Sequence, residues 1–185
     1  MILGVSATTV ASTIQLLSPH YLIAVTMDTF HRTMIGSIQL ANICQFIFSL
    51  SCTFDRPQLQ FKKIAGVERC IVGYSGGAEL FPTYRSIKDH TEAVLIEFNP
   101  DVVSYEDLLI EWSRMHTPNY KRKTQYKSAI WYLDDEQRTT AEGVLKGIKA
   151  SSRELVYTDV EPVTRFYRAE EYHQDFMSKQ GGGRY

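Results

Sequence analysis

Residues 93–109 read Ala93-Val94-Leu95-Ile96-Glu97-Phe98-Asn99-Pro100-Asp101-Val102-Val103-Ser104-Tyr105-Glu106-Asp107-Leu108-Leu109. They carry a strand, a turn and a helix start in close succession. Ala93 to Phe98 is an apolar run of strand length, as expected of a buried strand. Asn99-Pro100-Asp101 is turn chemistry. Ser104 opens a helix with Asp107 three residues on, the acidic partner of a capping box. Leu108, Leu109, Trp112 and Met115 then recur at helical spacing.

Working outward, Val67 to Tyr74 is a second strand candidate that ends at Gly73 and the Gly76-Gly77 turn. Ser128 to Tyr132 is a third. Asp134 caps a helix whose buried stripe is Ala141, Val144, Leu145 and Ile148. Leu155 to Val160 reads as a strand before Pro162, and Glu170 to Ser178 as a last short helix. Strands and helices mix without strict alternation. The expectation is therefore an α+β fold: a mixed or antiparallel sheet with helices packed on it.

The chain has 185 residues and a net charge of −1, which leaves no electrostatic footprint for nucleic acid. Its 3 cysteines are too few for a disulfide framework. The charge is unevenly spread: residues 1–54 hold only Asp28 and Arg32. Thr33 to Phe54 is uncharged over a length that would span a bilayer. Polar Ser37, Gln39, Asn42, Gln45, Ser49 and Ser51 dilute it, and no Lys or Arg cluster flanks it. An atypical extension, a membrane or targeting segment, and an ordinary part of the domain are the three readings of this stretch. The expected organisation is an extension over residues 1–47, a folded domain over 48–180 and a flexible tail over 181–185. A membrane tether is not expected, and the expected compartment is the cytoplasm.

Several common chemistries are poorly supported. Gly73-Tyr74-Ser75-Gly76-Gly77 lacks the Lys-Ser/Thr of a phosphate loop. The histidines at 20, 31, 90, 116 and 173 show no metal-ligand spacing, and no Cys-x-x-Cys is present. More suggestive is Asp89-His90-Thr91-Glu92, which places Glu92 at the start of an apolar strand. A carboxyl near the core tends to a raised pKa and donates a proton near neutrality; the plain alternative is a solvated loop carboxylate. Tyr84 and Tyr126 offer phenols that stabilise a developing oxyanion without a charge. Their plain alternative is packing on the sheet.

Taken together, these segments resemble the methionine sulfoxide reductase A family, the peptide-methionine (S)-S-oxide reductases. The blocks are Gly66-Val67 with Val72-Gly73-Tyr74-Ser75-Gly76-Gly77, Pro82-Thr83-Tyr84, Asp89-His90-Thr91-Glu92-Ala93, Ser104 to Leu109, Thr124-Gln125-Tyr126-Lys127-Ser128-Ala129-Ile130, and Phe166 to Gln174. They keep family order from about Phe61 to Gln180. The resemblance implies a mixed α/β roll with a ferredoxin-like core. It implies oxidative-damage repair: thiol-dependent reduction of methionine-S-sulfoxide, in oxidised proteins or as the free amino acid, through a cysteine sulfenic acid. Glu92 would be the acid, and Tyr84 and Tyr126 would hydrogen-bond the sulfoxide oxygen. Neither metal nor organic cofactor is implied; thioredoxin or another thiol is the reductant, and the protein is expected to be a monomer.

The family's nucleophile lies in a Gly-Cys-Phe-Trp motif at a helix N-terminus. Here Phe48-Ser49-Leu50-Ser51-Cys52-Thr53-Phe54-Asp55-Arg56-Pro57 stands in that place. Cys52 is the nucleophile candidate and Phe54 the remaining aromatic for the substrate methyl; the tryptophan is missing. Asp55 reads as an N-cap with Pro57 in the first turn, which starts the helix about one turn after Cys52. Asn119-Tyr120-Lys121-Arg122-Lys123 replaces the family's Gly-Asn-Asp turn, and no cysteine follows Cys70. Two functions fit these departures: an active reductase, with Cys44 or Cys70 or an external thiol resolving the sulfenic acid, and an impaired homologue that binds oxidised methionine or a protein partner.

Overall fold

The computed structural model describes residues 21–22, 43–49, 55–115, 123–153 and 155–180. In chain order the elements are β1 (Tyr21–Leu22), β2 (Cys44–Ser49), α1 (Asp55–Phe61), β3 (Val67–Ser75), β4 (Thr91–Phe98) and α2 (Tyr105–Met115). A 3-10 turn (Thr124–Tyr126), β5 (Ser128–Tyr132), α3 (Asp135–Ser151), β6 (Thr158–Pro162), β7 (Phe166–Arg168) and α4 (Phe176–Lys179) follow. The strands form one sheet in the order β1-β7-β3-β4-β2-β5-β6. Every neighbouring pair is antiparallel except β5 and β6.

β2 and β3 both lie antiparallel to β4 and are joined through α1; β4 and β5 both lie antiparallel to β2 and are joined through α2. Two interlocked β-α-β units of this kind make the ferredoxin-like core, so the expected α+β class holds. The strand alternation explains the layering. Phe46, Phe48, Val72, Val94, Ile96 and Ile130 face the helices, where they meet Phe61, Leu108, Leu109, Trp112, Ala141 and Leu145. Ile47, Ile71, Ala93, Leu95, Ala129 and Trp131 point to the other side. Both helix starts behave as the sequence indicates: the Asp107 N–H donates to Ser104 Oγ at 3.1 Å, and the Gln137 N–H to Asp134 Oδ1 at 2.8 Å.

Three elements differ from expectation. β6 starts at Thr158 rather than Leu155 and includes Pro162. Its length is set by pairing with β5, from Ser128 opposite Thr158 to Tyr132 opposite Pro162, and its edge position tolerates a proline without an N–H. The helix expected over 170–178 is confined to Phe176–Lys179. Asp175 at φ 57° interrupts it, and the preceding turns are drawn onto β3 by the Gln174 side chain. The strand β2 begins at Cys44, inside the stretch set apart as 1–47. Most of that stretch, the 181–185 tail and Asn119 to Arg122 lie outside the described residues. Among the described residues no helix is long and apolar enough to cross a membrane.

Candidate active site

The register gathers several chain segments at one end of the sheet. Tyr74 sits opposite Glu92 and Ser75 opposite Thr91, while β2 runs through Phe48 opposite Val94 to end at Ser49. Ser49 also faces Ala129, so the 3-10 turn that precedes β5 reaches the same end. From this end the chain leaves β3 for the 76–90 loop that carries Tyr84. From the same end it leaves β2 for residues 50–54.

Glu92 is the second residue of β4 and is only 3% exposed, which rules out the solvated-loop alternative. The Gln125 side-chain amide donates to Glu92 Oε1 at 2.8 Å and to the Tyr126 hydroxyl oxygen at 3.0 Å. One NH2 group therefore spans the two groups and orients them together. The Thr91 hydroxyl donates to Thr124 O at 2.7 Å and fixes the turn that presents Gln125 and Tyr126. Burial, then the charge on Glu92, then Tyr84 push the Tyr126 phenol above its ordinary value, against a smaller opposing effect of the Gln125 bond. A phenol held there stays protonated at neutral pH and is a donor. The Tyr84 ring is 45% exposed and packs on His173 with centroids 4.4 Å apart. Glu92 and Tyr126 are thus brought together, and Tyr84 lies near enough to act on the Tyr126 phenol.

Cys52 and Phe54 lie outside the described residues, between Ser49 and Asp55. The ends on either side are firmly held. The Ser49 carbonyl accepts from the Trp112 indole at 3.0 Å, and its hydroxyl accepts the Ala129 N–H at 2.9 Å while donating to Lys127 O. On the far side α1 begins three residues after Cys52, at Asp55 itself, the residue expected to cap it from outside. Gln58 of this helix donates to Cys70 O at 2.8 Å and accepts the Asp175 N–H at 2.8 Å.

The other two cysteines are poorly placed for the same end. Cys44 starts β2, so Ser49 lies about 17 Å further along the strand at 3.4 Å per residue. Cys70 is four residues from Tyr74 on β3, is 5% exposed, and burial pushes its thiol up to about 12. Cys44 and Cys70 flank β4 on opposite sides, two strand spacings apart, roughly 10 Å, which exceeds the span of a disulfide.

A second carboxylate, given no role in the sequence reading, backs the site. Glu170 Oε2 accepts the Tyr74 hydroxyl at 2.8 Å, and Oε1 accepts the Tyr84 backbone N–H at 2.9 Å. Partial burial pushes its carboxyl up, but the N–H of Tyr84, its own backbone N–H, the Tyr74 hydroxyl and His173 outweigh this and hold it below the usual value. Gln174 fills a gap in the ladder of β3: Oε1 accepts the Val72 N–H at 3.1 Å, and Nε2 donates to Val72 O and Ala169 O at 2.9 Å each. His90 is fully buried; its Nδ1 accepts the Gly77 N–H at 3.2 Å, which leaves Nε2 to donate to Glu79 O at 2.6 Å. It pins the loop rather than facing the site. Sequence blocks contained Gln125, Glu170 and Gln174, but only the contacts reveal what they do. Among the described residues no group of three His, Cys, Asp or Glu side chains is arranged to hold a metal ion.

A family model for peptide methionine sulfoxide reductase matches residues 45–185. A peptide methionine sulfoxide reductase of Fragaria ananassa is 38% identical over 149 residues, 73% of this chain and 76% of that protein. The peptide methionine sulfoxide reductase MsrA of Acidobacterium capsulatum is 36% identical, over 72% of this chain and 93% of its own length. Reduced Mxr1 of Saccharomyces cerevisiae superposes with a TM-score of 0.72 at 22% identity, covering 80% of this chain and 92% of that one. Mxr1 in complex with Trx2 gives 0.57 at 18% identity, covering 76% and 89%. These structures share the fold. The chain belongs to the peptide methionine sulfoxide reductase family.

Proposed function

We propose that this protein reduces peptide-bound methionine (S)-S-oxide to methionine, with Cys52 as nucleophile, Glu92 as acid and the Tyr84 and Tyr126 phenols as donors to the sulfoxide oxygen. The observation that carries this reading is the Gln125 amide shared by buried Glu92 and the Tyr126 hydroxyl. It supports a pair of groups set to meet one oxygen atom. The Cys52 thiolate attacks the sulfoxide sulfur while Glu92 supplies the proton to the oxygen. The oxygen ends on the cysteine sulfur as a sulfenic acid, the substrate sulfur gains two electrons and methionine leaves. An external thiol then condenses with the sulfenic acid and releases water, and a second thiol resolves the mixed disulfide. Thioredoxin supplies both thiols in one molecule. The placement of Cys44 and Cys70 a strand length from the site end supports an external reductant over either of them. Phe54 is the aromatic proposed to contact the S-methyl group.

The test is reduction of a methionine-S-sulfoxide peptide with dithiothreitol or thioredoxin, alongside Cys52→Ser. Turnover that vanishes in Cys52→Ser is expected. An inactive unsubstituted protein would sink the proposal, and turnover surviving Cys52→Ser would sink the assignment of the nucleophile.

A further inference from the structure

We propose that Glu170 is a positioning residue for the Tyr84 phenol, acting by clamping the Tyr84 backbone to Tyr74 of β3. The inference rests on the reading of Tyr84 as an oxygen-binding donor. Tyr84 sits on a long loop, and its ring is nearly half exposed, so no surrounding core fixes where its hydroxyl lies. Two contacts substitute for such a core. The ring leans on His173, and the peptide N–H of Tyr84 itself is tied to Glu170 Oε1.

The other carboxylate oxygen is anchored on a rigid element. Tyr74 is 1% exposed, stands in the middle of the sheet opposite Glu92 and Tyr167, and donates its hydroxyl to Glu170 Oε2. A carboxylate suits this task because it accepts on both oxygens; an amide in its place would keep the acceptor for the Tyr84 N–H and turn its NH2 to the Tyr74 hydroxyl, which also accepts. Glu170 is itself held in place, because its carbonyl accepts the His173 N–H at 2.9 Å and Gln174 secures the following turn to β3. The chain Glu92–Tyr74–Glu170–Tyr84 therefore links the acid and the phenol through one strand pair. Bonds to an ionised acceptor are among the stronger hydrogen bonds, which suits a clamp on an otherwise exposed loop.

Tyr84→Phe keeps the ring against His173 and removes only the hydroxyl, so it separates the clamp from what the clamp serves. Single-turnover formation of methionine by reduced enzyme with saturating sulfoxide peptide is measured in unsubstituted protein, Glu170→Ala, Tyr84→Phe and the double variant. A displaced donor costs about tenfold or more in rate, and that loss is expected for Glu170→Ala. In the Tyr84→Phe background the same change is expected to cost less than about twofold, since contacting groups are not additive. Glu170→Gln keeps an acceptor for the Tyr84 N–H and is expected to stay within about threefold of the unsubstituted rate. Hydrogen exchange at the Tyr84 amide, read without any turnover, should be slow and should rise at least about tenfold in Glu170→Ala.

An equal Glu170→Ala loss in both backgrounds overturns the positioning role while leaving the site reading intact. So does a Gln variant as slow as the Ala variant, or a Tyr84 amide whose exchange ignores Glu170. No effect of Tyr84→Phe alone overturns the reading of Tyr84, and the positioning role with it.

Discussion

Gln174 gives the sharpest stability test. Its amide takes the place of a strand at the point where β7 ends, bonding Val72 N–H, Val72 O and Ala169 O in a fully buried position. Leucine matches its volume but forms none of these bonds. In Gln174→Leu, Val72 O keeps the Ala169 N–H at 2.9 Å, while the Val72 N–H loses its acceptor and Ala169 O this donor. An orphaned buried group costs about 1–3 kcal/mol, so the pair should cost roughly 2–6 kcal/mol. For a chain of this size that lowers Tm by roughly 4–24 °C. Gln174→Glu makes a second demand on the same geometry. One carboxylate oxygen still accepts from Val72, but the other faces two carbonyl oxygens. The introduced carboxyl must then have a folded pKa above its unfolded value near 4.3. A group raised in this way is least costly below the unfolded pKa, and its penalty grows as pH rises through the folded pKa. Urea unfolding followed by fluorescence of the buried Trp112 and Trp131 should show both variants destabilised at pH 7. The deficit of Gln174→Glu relative to the unsubstituted protein should shrink at pH 5. A Gln174→Leu midpoint unchanged within error, or a Gln174→Glu deficit indifferent to pH, would refute the reasoning.

Further outcomes follow from the same contacts. Glu92→Gln should lower the reduction rate by about 10²–10⁴ because it removes the proton donor, with unfolding midpoints as the control for folding. Trp112→Phe should cost about 1–3 kcal/mol through the orphaned Ser49 carbonyl; a neutral result in urea would deny that bond any weight. Gly73→Ala should be strongly destabilising, since a Cβ there would lie 2.2 Å from the Tyr167 carbonyl oxygen; a soluble variant with native Tm would contradict that approach. Cys70, with its thiol pushed up to about 12, should resist iodoacetamide at pH 8 in folded protein and react on unfolding. Its raised value also means stability is full below pH 8.5, the unfolded thiol value, and is lost as pH rises towards 12. Labelling mapped by mass spectrometry and a pH series of unfolding midpoints check the two statements.

Much of the fold was legible because it depends on local signals. The apolar runs of β3, β4 and β5 and the caps at Ser104 and Asp134 are fixed by neighbours in sequence. The places where the sequence misled are those where a distant partner wins. β6 takes its bounds from β5, and the turns after Glu170 give up helix for Gln174 bonds to a strand about 100 residues earlier. The site divides in the same way. Glu92, Tyr84 and Tyr126 could be picked out because short motifs surround them. Gln125, Glu170 and Gln174 could not be given roles, because a side-chain amide or carboxylate acquires a role only from what it meets.

The sequence by itself determined the family, the α+β class and the residue types available for sulfoxide chemistry, all of which are written in contiguous blocks. Tertiary structure decided which of those residues meet. The antiparallel register brings the start of β4, the end of β2 and the turn before β5 to one end of the sheet, and carries Cys44 and Cys70 away from it. Register is a property of paired strands, set by burial of one face against another over long sequence separations. No single stretch of the chain contains it.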